Sequence, residues 1–186
     1  MRVIAGKARR INLKAPNGMD TRPTTDRIKE TLFNMINTML YDATFLDLFS
    51  GSGAIGIEAL SRGAKKAYFV ENDKNALACI KDNLNSTRLL DNAIVLNADV
   101  FTAINRLNEN ESFDIIFMDP PYNMDLEKKV LELLANKNFV NEETLIIIEA
   151  SLETTFDYLE EIGYYIEREK QYKTNKHVFV RRDIWR

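Results

Sequence analysis

The sequence predicts an α/β fold with a mostly parallel sheet and helices on both of its faces. From residue 44 onward, short apolar runs alternate with amphipathic stretches, a pattern that is typical of βαβ units. A glycine-rich loop follows the first apolar run, and two strand-like runs end the sequence, which would add an antiparallel edge. Ligands of such sheets bind beyond the carboxyl ends of the strands. We therefore expect the functional residues in those loops.

The basic segment Met1–Leu13 precedes this alternating pattern. Its short apolar alternation around Gly6 ends at the turn signal Pro16-Asn17-Gly18. We predict a small β-hairpin extension over residues 1–20 and one larger domain over residues 21–186.

A helix is predicted after this extension, because the apolar residues between Ile28 and Leu40 recur at helical spacing. Thr24 or Thr25 could cap this helix.

The remaining elements follow from the apolar runs and the amphipathic stretches. The predicted strands are Phe45–Phe49, Ala67–Glu71, Ala93–Asn97, Phe113–Met118, Thr144–Glu149, Tyr164–Lys170 and His177–Arg182. The predicted helices are Ile55–Arg62, Lys74–Asn85, Val100–Leu107, Leu126–Ala135 and Leu152–Ile162. We expect the single histidine, His177, on the surface of the last strand.

Composition excludes several classes of protein. The 186 residues are 45% hydrophobic and 28% charged, as in an ordinary folded domain. One cysteine excludes a disulfide framework and a cysteine-based zinc site, and one histidine argues against a histidine-rich metal site. No apolar run reaches the roughly 20 residues of a membrane span, and no signal peptide is recognisable. We expect a soluble, cytoplasmic protein with no metal and no membrane partner.

The net charge of −3 conceals an uneven distribution. Residues 1–31 carry eight Lys and Arg against three acids, and residues 168–186 carry seven against two. The middle of the chain carries ten against 23. If both ends fold onto one face, they form a basic patch that suits a nucleic acid. The same excess of Lys and Arg at the two ends is equally well explained by ordinary solvent-exposed charges that bind no nucleic acid.

The glycine-rich loop points to a nucleotide-like cofactor. Gly51, Gly53 and Gly56 match the dinucleotide pattern G-x-G-x-x-G between a strand and a helix. About 20 residues further on, the second strand ends in Glu71, which could accept hydrogen bonds from ribose hydroxyls. These features fit a nicotinamide cofactor or S-adenosylmethionine.

Asp47 favours S-adenosylmethionine between these two cofactors. It lies four residues before Gly51, where a carboxylate would repel a pyrophosphate and attract an ammonium or a sulfonium. Asp99 ends the third strand and could reach an adenine amino group. Three acids at neighbouring strand ends therefore suit a cationic cofactor.

The loop after the fourth strand reads Asp119-Pro120-Pro121-Tyr122. Two prolines stiffen the chain into an extended rim at the same edge of the sheet. Asp119 and a proline carbonyl could accept hydrogen bonds from an exocyclic amino group, and Tyr122 could stack on the base. The loop is thus a candidate site for amino methylation.

These motifs together resemble the class I S-adenosylmethionine-dependent methyltransferases that modify amino nitrogens. The string Arg22-Pro-Thr-Thr-Asp-Arg-Ile-Lys-Glu-Thr-Leu-Phe33 further resembles the RsmD family, which methylates the N2 amino group of a guanine in small-subunit (16S) ribosomal RNA. The resemblance runs nearly from end to end. It implies a Rossmann-like sheet of seven strands with an RNA-binding N-terminal extension.

The resemblance also implies roles for individual residues. Asp47, Gly51 and Gly53 would line the methionine end of the cofactor, Glu71 the ribose and Asp99 the adenine, with Phe49, Asn72 and Val100 beside them. The guanine would be held by Asp119, Pro120, Pro121 and Tyr122. RNA-binding residues would be Arg9, Arg10, Arg22, Thr24 and Arg27. Many family members have a glycine near Arg10, whereas this chain reads Lys7-Ala8-Arg9-Arg10.

Other functions remain open at this stage. A DNA adenine or cytosine amino-methyltransferase could use the same Asp-Pro-Pro-Tyr chemistry, although 186 residues leave little room for a target-recognition domain. A nicotinamide-dependent oxidoreductase is disfavoured by Asp47. A ribosome-assembly factor could keep the fold without catalysis. We expect a monomer that acts on rRNA, either free or in an assembled 30S particle.

Overall fold

Within residues 1–16, 26–122 and 124–183, which the computed structural model describes, the chain forms five α-helices and seven strands. The strands are β1 (Thr44–Asp47), β2 (Lys66–Glu71), β3 (Ala93–Asn97), β4 (Ile115–Met118), β5 (Leu145–Ser151), β6 (Tyr164–Gln171) and β7 (Asn175–Arg182). The helices are α1 (Asp26–Met35), α2 (Ala54–Ser61), α3 (Lys74–Thr87), α4 (Val100–Arg106) and α5 (Leu126–Leu134). All seven predicted strands are confirmed, with bounds that shift by at most two residues.

The strands form one sheet in the order β3-β2-β1-β4-β5-β7-β6. Strands β1 to β5 are parallel, whereas β7 pairs antiparallel with both β5 and β6. The predicted antiparallel edge is therefore confirmed. The strand order reverses between β1 and β4, and loops that leave these two strands diverge to opposite sides of the sheet. A crevice opens at this point, where ligands of α/β sheets bind.

Each face of the sheet carries its own hydrophobic core. Phe45 and Leu46 are neighbours in β1 and point to opposite faces, as strand geometry requires. Phe45 packs with the N-terminal segment and with α1, α2 and α3, whereas Leu46 packs with α4 and α5. The central strands are buried on both sides, which explains their continuous apolar runs. None of the described helices is long and apolar enough to cross a membrane.

The helix predicted at Leu152–Ile162 is wrong. A turn follows β5 directly, with the Thr154 N–H donating to the Ser151 carbonyl at 3.2 Å and their two hydroxyls 3.0 Å apart. Such side-chain contacts offer the backbone an alternative to a helix. Phe156 and Leu159 from this segment are buried in the core. Because they are three residues apart, their spacing in the sequence resembled one face of a helix. One short 3-10 helix, Glu160–Ile162, ends the segment.

The N-terminal segment makes a single antiparallel bridge, Arg2 with Asn12, in place of two regular strands. Val3, Ala8 and Leu13 belong to the core beside α2. Gly6 has φ +81°, and a Cβ there would lie 1.8 Å from the Ser61 carbonyl oxygen at the end of α2. The segment is thus docked closely on α2. A domain boundary at residue 20 stays a prediction, because residues 17–25 are outside the described part of the chain.

Candidate active site

Four acids lie at the carboxyl ends of the first four strands. Asp47 and Glu71 end β1 and β2, Asp99 follows β3 by two residues, and Asp119 directly follows β4. The predicted convergence of these residues at one edge of the sheet is confirmed by the strand order. Among the described residues, no group of three or more His, Cys, Asp or Glu is placed to hold a metal ion.

The glycine loop connects β1 to α2. Gly51 and Gly53 have φ of +53° and +78°, a left-handed conformation that side chains with a Cβ rarely adopt. Gly56 serves a different purpose, because a Cβ there would lie 2.4 Å from the Phe69 ring on β2. Two glycines therefore shape the turn, and the third permits close packing of helix on strand.

The Glu71 carboxylate is fixed by three backbone N–H groups. Its Oε2 accepts from Gly51 at 2.8 Å, and its Oε1 accepts from Asn72 at 2.8 Å and from Asp73 at 2.9 Å. A carboxylate has about four lone-pair positions. Oε2 therefore keeps one acceptor position for a ligand hydroxyl.

Five of the predicted cofactor residues line one cavity of about 220 Å³ beside the glycine loop: Phe49, Glu71, Asn72, Asp99 and Val100. The remaining lining residues are mostly apolar. Asp99 also caps α4, because its carboxylate accepts from the Thr102 N–H at 3.0 Å and the Thr102 hydroxyl at 2.6 Å. An apolar slot with polar residues at its rim suits a purine nucleoside.

Asp47 is the least satisfied group at this edge. Its side chain is 1% exposed, and neither carboxylate oxygen has a hydrogen-bond partner among the described residues. Burial raises the pKa of Asp47 to about 7. The nearby Gly56 and Phe49 N–H groups and the Ser50 hydroxyl partly oppose this shift, although none of them meets the geometry of a hydrogen bond to the carboxylate. A buried carboxylate without a partner is costly. A cationic ligand would relieve that cost, so Asp47 fits the ammonium or sulfonium of S-adenosylmethionine.

The Asp-Pro-Pro-Tyr rim stands next to Asp47. Pro120 is buried, whereas Pro121 and Tyr122 face solvent, with Tyr122 44% exposed. Burial raises the pKa of Asp119 well above its usual range, and the charges of Glu149 and Asp47 raise it further. Burial also raises the pKa of Tyr122 to about 12. The rim thus combines a half-buried hydrogen-bond acceptor with an exposed aromatic ring.

A basic pocket of about 360 Å³ lies at the N-terminal segment. Arg2, Arg9, Arg10 and Arg27 line it, together with two acids. Arg10 has φ +73°, a conformation that favours glycine and that agrees with the glycine expected near this position. Arg22 and Thr24, which were also predicted to bind RNA, lie outside the described residues.

A buried polar cluster that was not expected from the sequence lies behind Asp119. His177 was expected on the surface, but it is fully buried in β7 and its Nε2 lies 3.1 Å from Glu149 Oε2 in β5. Strand alternation could have indicated the burial of His177, because it shares its face with Phe179 of the core, but it could not have indicated the pairing with Glu149.

The strand order, the glycine loop and the position of the Asp-Pro-Pro-Tyr rim are those of a class I methyltransferase with a Rossmann-like fold. The family model described as "Conserved hypothetical protein 95" matches residues 1–181. The chain belongs to this family, which is the RsmD family.

Named relatives and a solved structure agree with this assignment. YlbH of Bacillus subtilis is 41% identical over 80% of this chain and 82% of its own length. Ribosomal RNA small subunit methyltransferase D of Haemophilus influenzae is 37% identical over 80% of this chain and 78% of its own. The structure of the Escherichia coli protein yhhF has a TM-score of 0.83 and 33% identity, with 98% of each chain covered.

Proposed function

We propose that this methyltransferase transfers a methyl group from S-adenosylmethionine to the N2 amino group of a guanine in small-subunit ribosomal RNA. One observation carries the proposal: a buried carboxylate, Asp47, and a half-buried carboxylate, Asp119, flank the switch point of the sheet. The first suits a cationic methyl donor and the second suits an amino group. The relatives named for rRNA methylation support the choice of substrate.

The cofactor would occupy the edge from β1 to β3. Asp47, Gly51 and Gly53 would hold the methionine end, and Glu71 would accept a ribose hydroxyl at the free position of Oε2. The cavity of about 220 Å³ that Phe49, Asn72, Asp99 and Val100 help to line would take the adenosine. When bound, S-adenosylmethionine supplies a methyl group attached to a sulfonium, and the sulfur becomes a neutral thioether once that methyl group is transferred.

The protein contributes chiefly positioning to the reaction. Asp119 and the Pro120 carbonyl would accept hydrogen bonds from the amino group, which aims its lone pair at the methyl carbon. Reacting atoms held about 3–3.5 Å apart suffice for much of the rate enhancement. The guanine would stack on Tyr122, and this would offset the few kcal/mol of unstacking. Asp119 then receives the proton that the methylated nitrogen loses.

The basic pocket would bind the RNA backbone. Arg9, Arg10 and Arg27 would neutralise phosphates there, with Arg22 and Thr24 beside them, and each neutralised phosphate makes binding salt-dependent. Guanine N2 lies on the Watson–Crick edge, so the target base must be unpaired or flipped. We propose a cytoplasmic monomer without metal that acts on rRNA, free or within a 30S particle.

Transfer to small-subunit rRNA that lacks its native modifications tests the proposal. The RNA would be offered both naked and in assembled particles, then digested, and its nucleosides identified by mass spectrometry. We expect N2-methylguanosine at one site. Methylated adenine or cytosine in a DNA substrate would replace the proposal with a DNA methyltransferase. Cofactor binding without product on any nucleic acid would indicate an assembly factor.

Asp119→Ala separates the two halves of the site. We expect at least about 100-fold slower transfer with nearly unchanged affinity for S-adenosylmethionine, measured by calorimetry. A comparable loss of cofactor affinity would contradict a substrate role for Asp119.

A further inference from the structure

A buried cluster around Glu149 lies directly behind Asp119. Glu149 Oε1 accepts from the Asn175 side-chain amide at 2.6 Å, and Oε2 pairs with His177 Nε2 at 3.1 Å. Glu149, Asn175 and His177 are each at least nine-tenths buried. Strands β5 and β7 supply all three residues, so the cluster belongs to the rigid sheet and not to a loop.

Further contacts fix the His177 ring. Its Nδ1 lies 3.1 Å from the Tyr172 hydroxyl, and the rings of Tyr172 and Phe117 meet it edge to face with centroids 5.1 and 6.1 Å away. The neutral imidazole satisfies both nitrogens when Tyr172 donates to Nδ1 and Nε2–H donates to Glu149. The Glu149 carboxylate therefore has a fixed position with one donor on each oxygen.

The sheet register brings this carboxylate beside Asp119. Met118 of β4 pairs with Ile148 of β5, so Asp119 and Glu149 are the next residues on neighbouring parallel strands and share a face. Asp47 approaches from β1 and Tyr122 from the rim loop, while His177 and Tyr172 stand behind Glu149. Among the described residues, no lysine or arginine forms an ion pair with Asp119 or Glu149. Glu149 thus places a carboxylate beside Asp119 that, within the described part of the chain, is paired with His177 and with no lysine or arginine.

We propose that Glu149, held by His177 and Asn175, is a positioning residue that makes Asp119 a stronger acceptor for the amino-group hydrogens and for the released proton. The inference rests on the proposed function. The new C–N bond forms as the C–S bond breaks, the sulfur departs as a neutral thioether, and one proton passes from nitrogen to Asp119 and then to water. A fixed negative charge beside Asp119 favours that proton transfer, because it disfavours the ionised form of Asp119.

Glu149→Gln tests the role of the charge while the hydrogen bonds can be kept. The new amide oxygen can accept from Asn175, and its N–H can donate to His177 Nε2 if the imidazole changes tautomer and donates from Nδ1 to Tyr172. Because this tautomer change keeps the hydrogen bonds of residue 149, the main effect of the substitution is loss of the negative charge. Thermal unfolding verifies that the variant is folded.

The first readout is the single-turnover rate against pH at saturating S-adenosylmethionine and RNA. Bound cofactor would keep Asp47 ionised, and Tyr122 and Tyr172, with pKa values of about 12, stay neutral. Asp119 and the adjacent Glu149–His177 pair are then the groups that set the acid limb. We expect Glu149→Gln to move the acid limb to lower pH. The plateau rate should fall by less than the roughly 100-fold that loss of a general base costs. An acid limb at the wild-type pH would overturn the inference.

A carboxyl-carbon NMR titration of Asp119 in the cofactor-bound protein does not depend on any RNA substrate. Its midpoint should also move to lower pH in Glu149→Gln. If wild-type protein methylates no RNA while this shift is present, the proposed function fails and the electrostatic coupling stands. Equal midpoints in the two proteins would overturn the coupling whether or not RNA is methylated.

A matched pair of variants tests the support given by His177. Tyr172→Phe removes the hydroxyl that bonds Nδ1, whereas Tyr164→Phe removes a buried hydroxyl that bonds the Leu131 carbonyl away from the site. We expect Tyr172→Phe to lower kcat by about fivefold, the rate equivalent of one hydrogen bond, with KM unchanged. Tyr164→Phe should leave kcat at the wild-type value. Equal effects of the two changes would contradict a positioning role for this network.

Discussion

Two buried carboxylates on either side of the glycine loop differ completely in how they are satisfied. Glu58 in α2 is fully buried and accepts from the Ile4 and Ala5 N–H groups at 2.8 and 3.0 Å. Arg62 donates to it at 2.8 Å, and the Lys29 ammonium lies 3.4 Å away. Asp47 is equally buried and has no such partner among the described residues.

The difference distinguishes a carboxylate that stabilises the fold from one that we propose binds the cofactor. Glu58 ties the N-terminal segment and α1 to α2, and every part of that arrangement is present in the folded chain. Asp47 is buried as a carboxylate at a cost that either protonation or a cationic ligand can remove. A buried charge that is fully paired therefore indicates stability, whereas one without a partner at the switch point of a sheet indicates binding.

Glu58→Gln should have the largest effect on stability. The change leaves the buried ammonium of Lys29 and the guanidinium of Arg62 without their counter-charge, which costs about 3–5 kcal/mol. Urea unfolding measures this loss. Asp82→Asn, which breaks an exposed pair with Lys14, is the control and should cost less than about 1 kcal/mol. Equal losses of stability in Glu58→Gln and Asp82→Asn would contradict the view that the buried ion pairs of Glu58 stabilise the fold more than an exposed pair does.

Asp47→Asn should act in the opposite direction on stability. Folding raises the pKa of this carboxyl to about 7, so wild-type protein loses stability as pH rises from about 4, where the unfolded carboxyl ionises, to about 7. We expect the cofactor-free variant to be more stable at pH 8, by about 2–4 kcal/mol, and to bind S-adenosylmethionine more weakly. Destabilisation like that of Glu58→Gln would show that Asp47 is structural.

Glu71→Ala should weaken cofactor binding by roughly 10- to 100-fold, the range expected for one hydrogen bond to a charged group. Asp73→Ala is a matched control in the same turn, since the Asp73 side chain accepts from the Asn75 and Ala76 N–H groups at the start of α3, and the change keeps the backbone N–H that donates to Glu71. It should lower stability by about 1 kcal/mol and leave the cofactor dissociation constant unchanged. An unchanged constant in Glu71→Ala would remove Glu71 from the ribose site.

Charge reversal of Arg9 and Arg10 should have the smallest effect. Both line the basic pocket beside the segment that Glu58 anchors. Loss of two phosphate contacts should reduce the slope of log K against log salt by up to about 1.4, measured by RNA binding at several salt concentrations. Arg106→Glu on α4, which packs on the opposite face of the sheet, is the control. Equal slopes in wild type and the double variant would exclude this pocket as the RNA site.

Periodicity and glycine spacing predicted the sheet well because both signals are local. The bounds of β3 are as predicted, and the acids at the strand ends lie where the motif placed them. The helix predicted at Leu152–Ile162 was wrong because the apolar residues Phe156 and Leu159 are three positions apart, as on one face of a helix. In the structure both are buried, but a turn and not a helix presents them to the core. Over such a short segment, the spacing of apolar residues predicts which side chains are buried but not the conformation of the backbone.

The polar cluster was beyond prediction for a different reason. The pairing of His177 with Glu149 depends on the register between β5 and β7, which are separated by a turn, a 3-10 helix and a further strand. No motif links residues across such a distance. Likewise, the docking of Ile4 and Ala5 on Glu58 joins residues more than 50 positions apart. Sequence patterns identified the site residues, and tertiary contacts show which of them are satisfied.

The most direct measurement is the number of protons released when S-adenosylmethionine binds near pH 6.5. Calorimetric titrations in buffers of different ionisation enthalpy give this number for wild type and Asp47→Asn. A cation placed at Asp47 must drive a proton from a carboxyl whose pKa is about 7. We expect proton release by wild type and little or none by the variant. Binding without proton release, or equal release by both proteins, would contradict the placement of the cofactor's cationic end at Asp47.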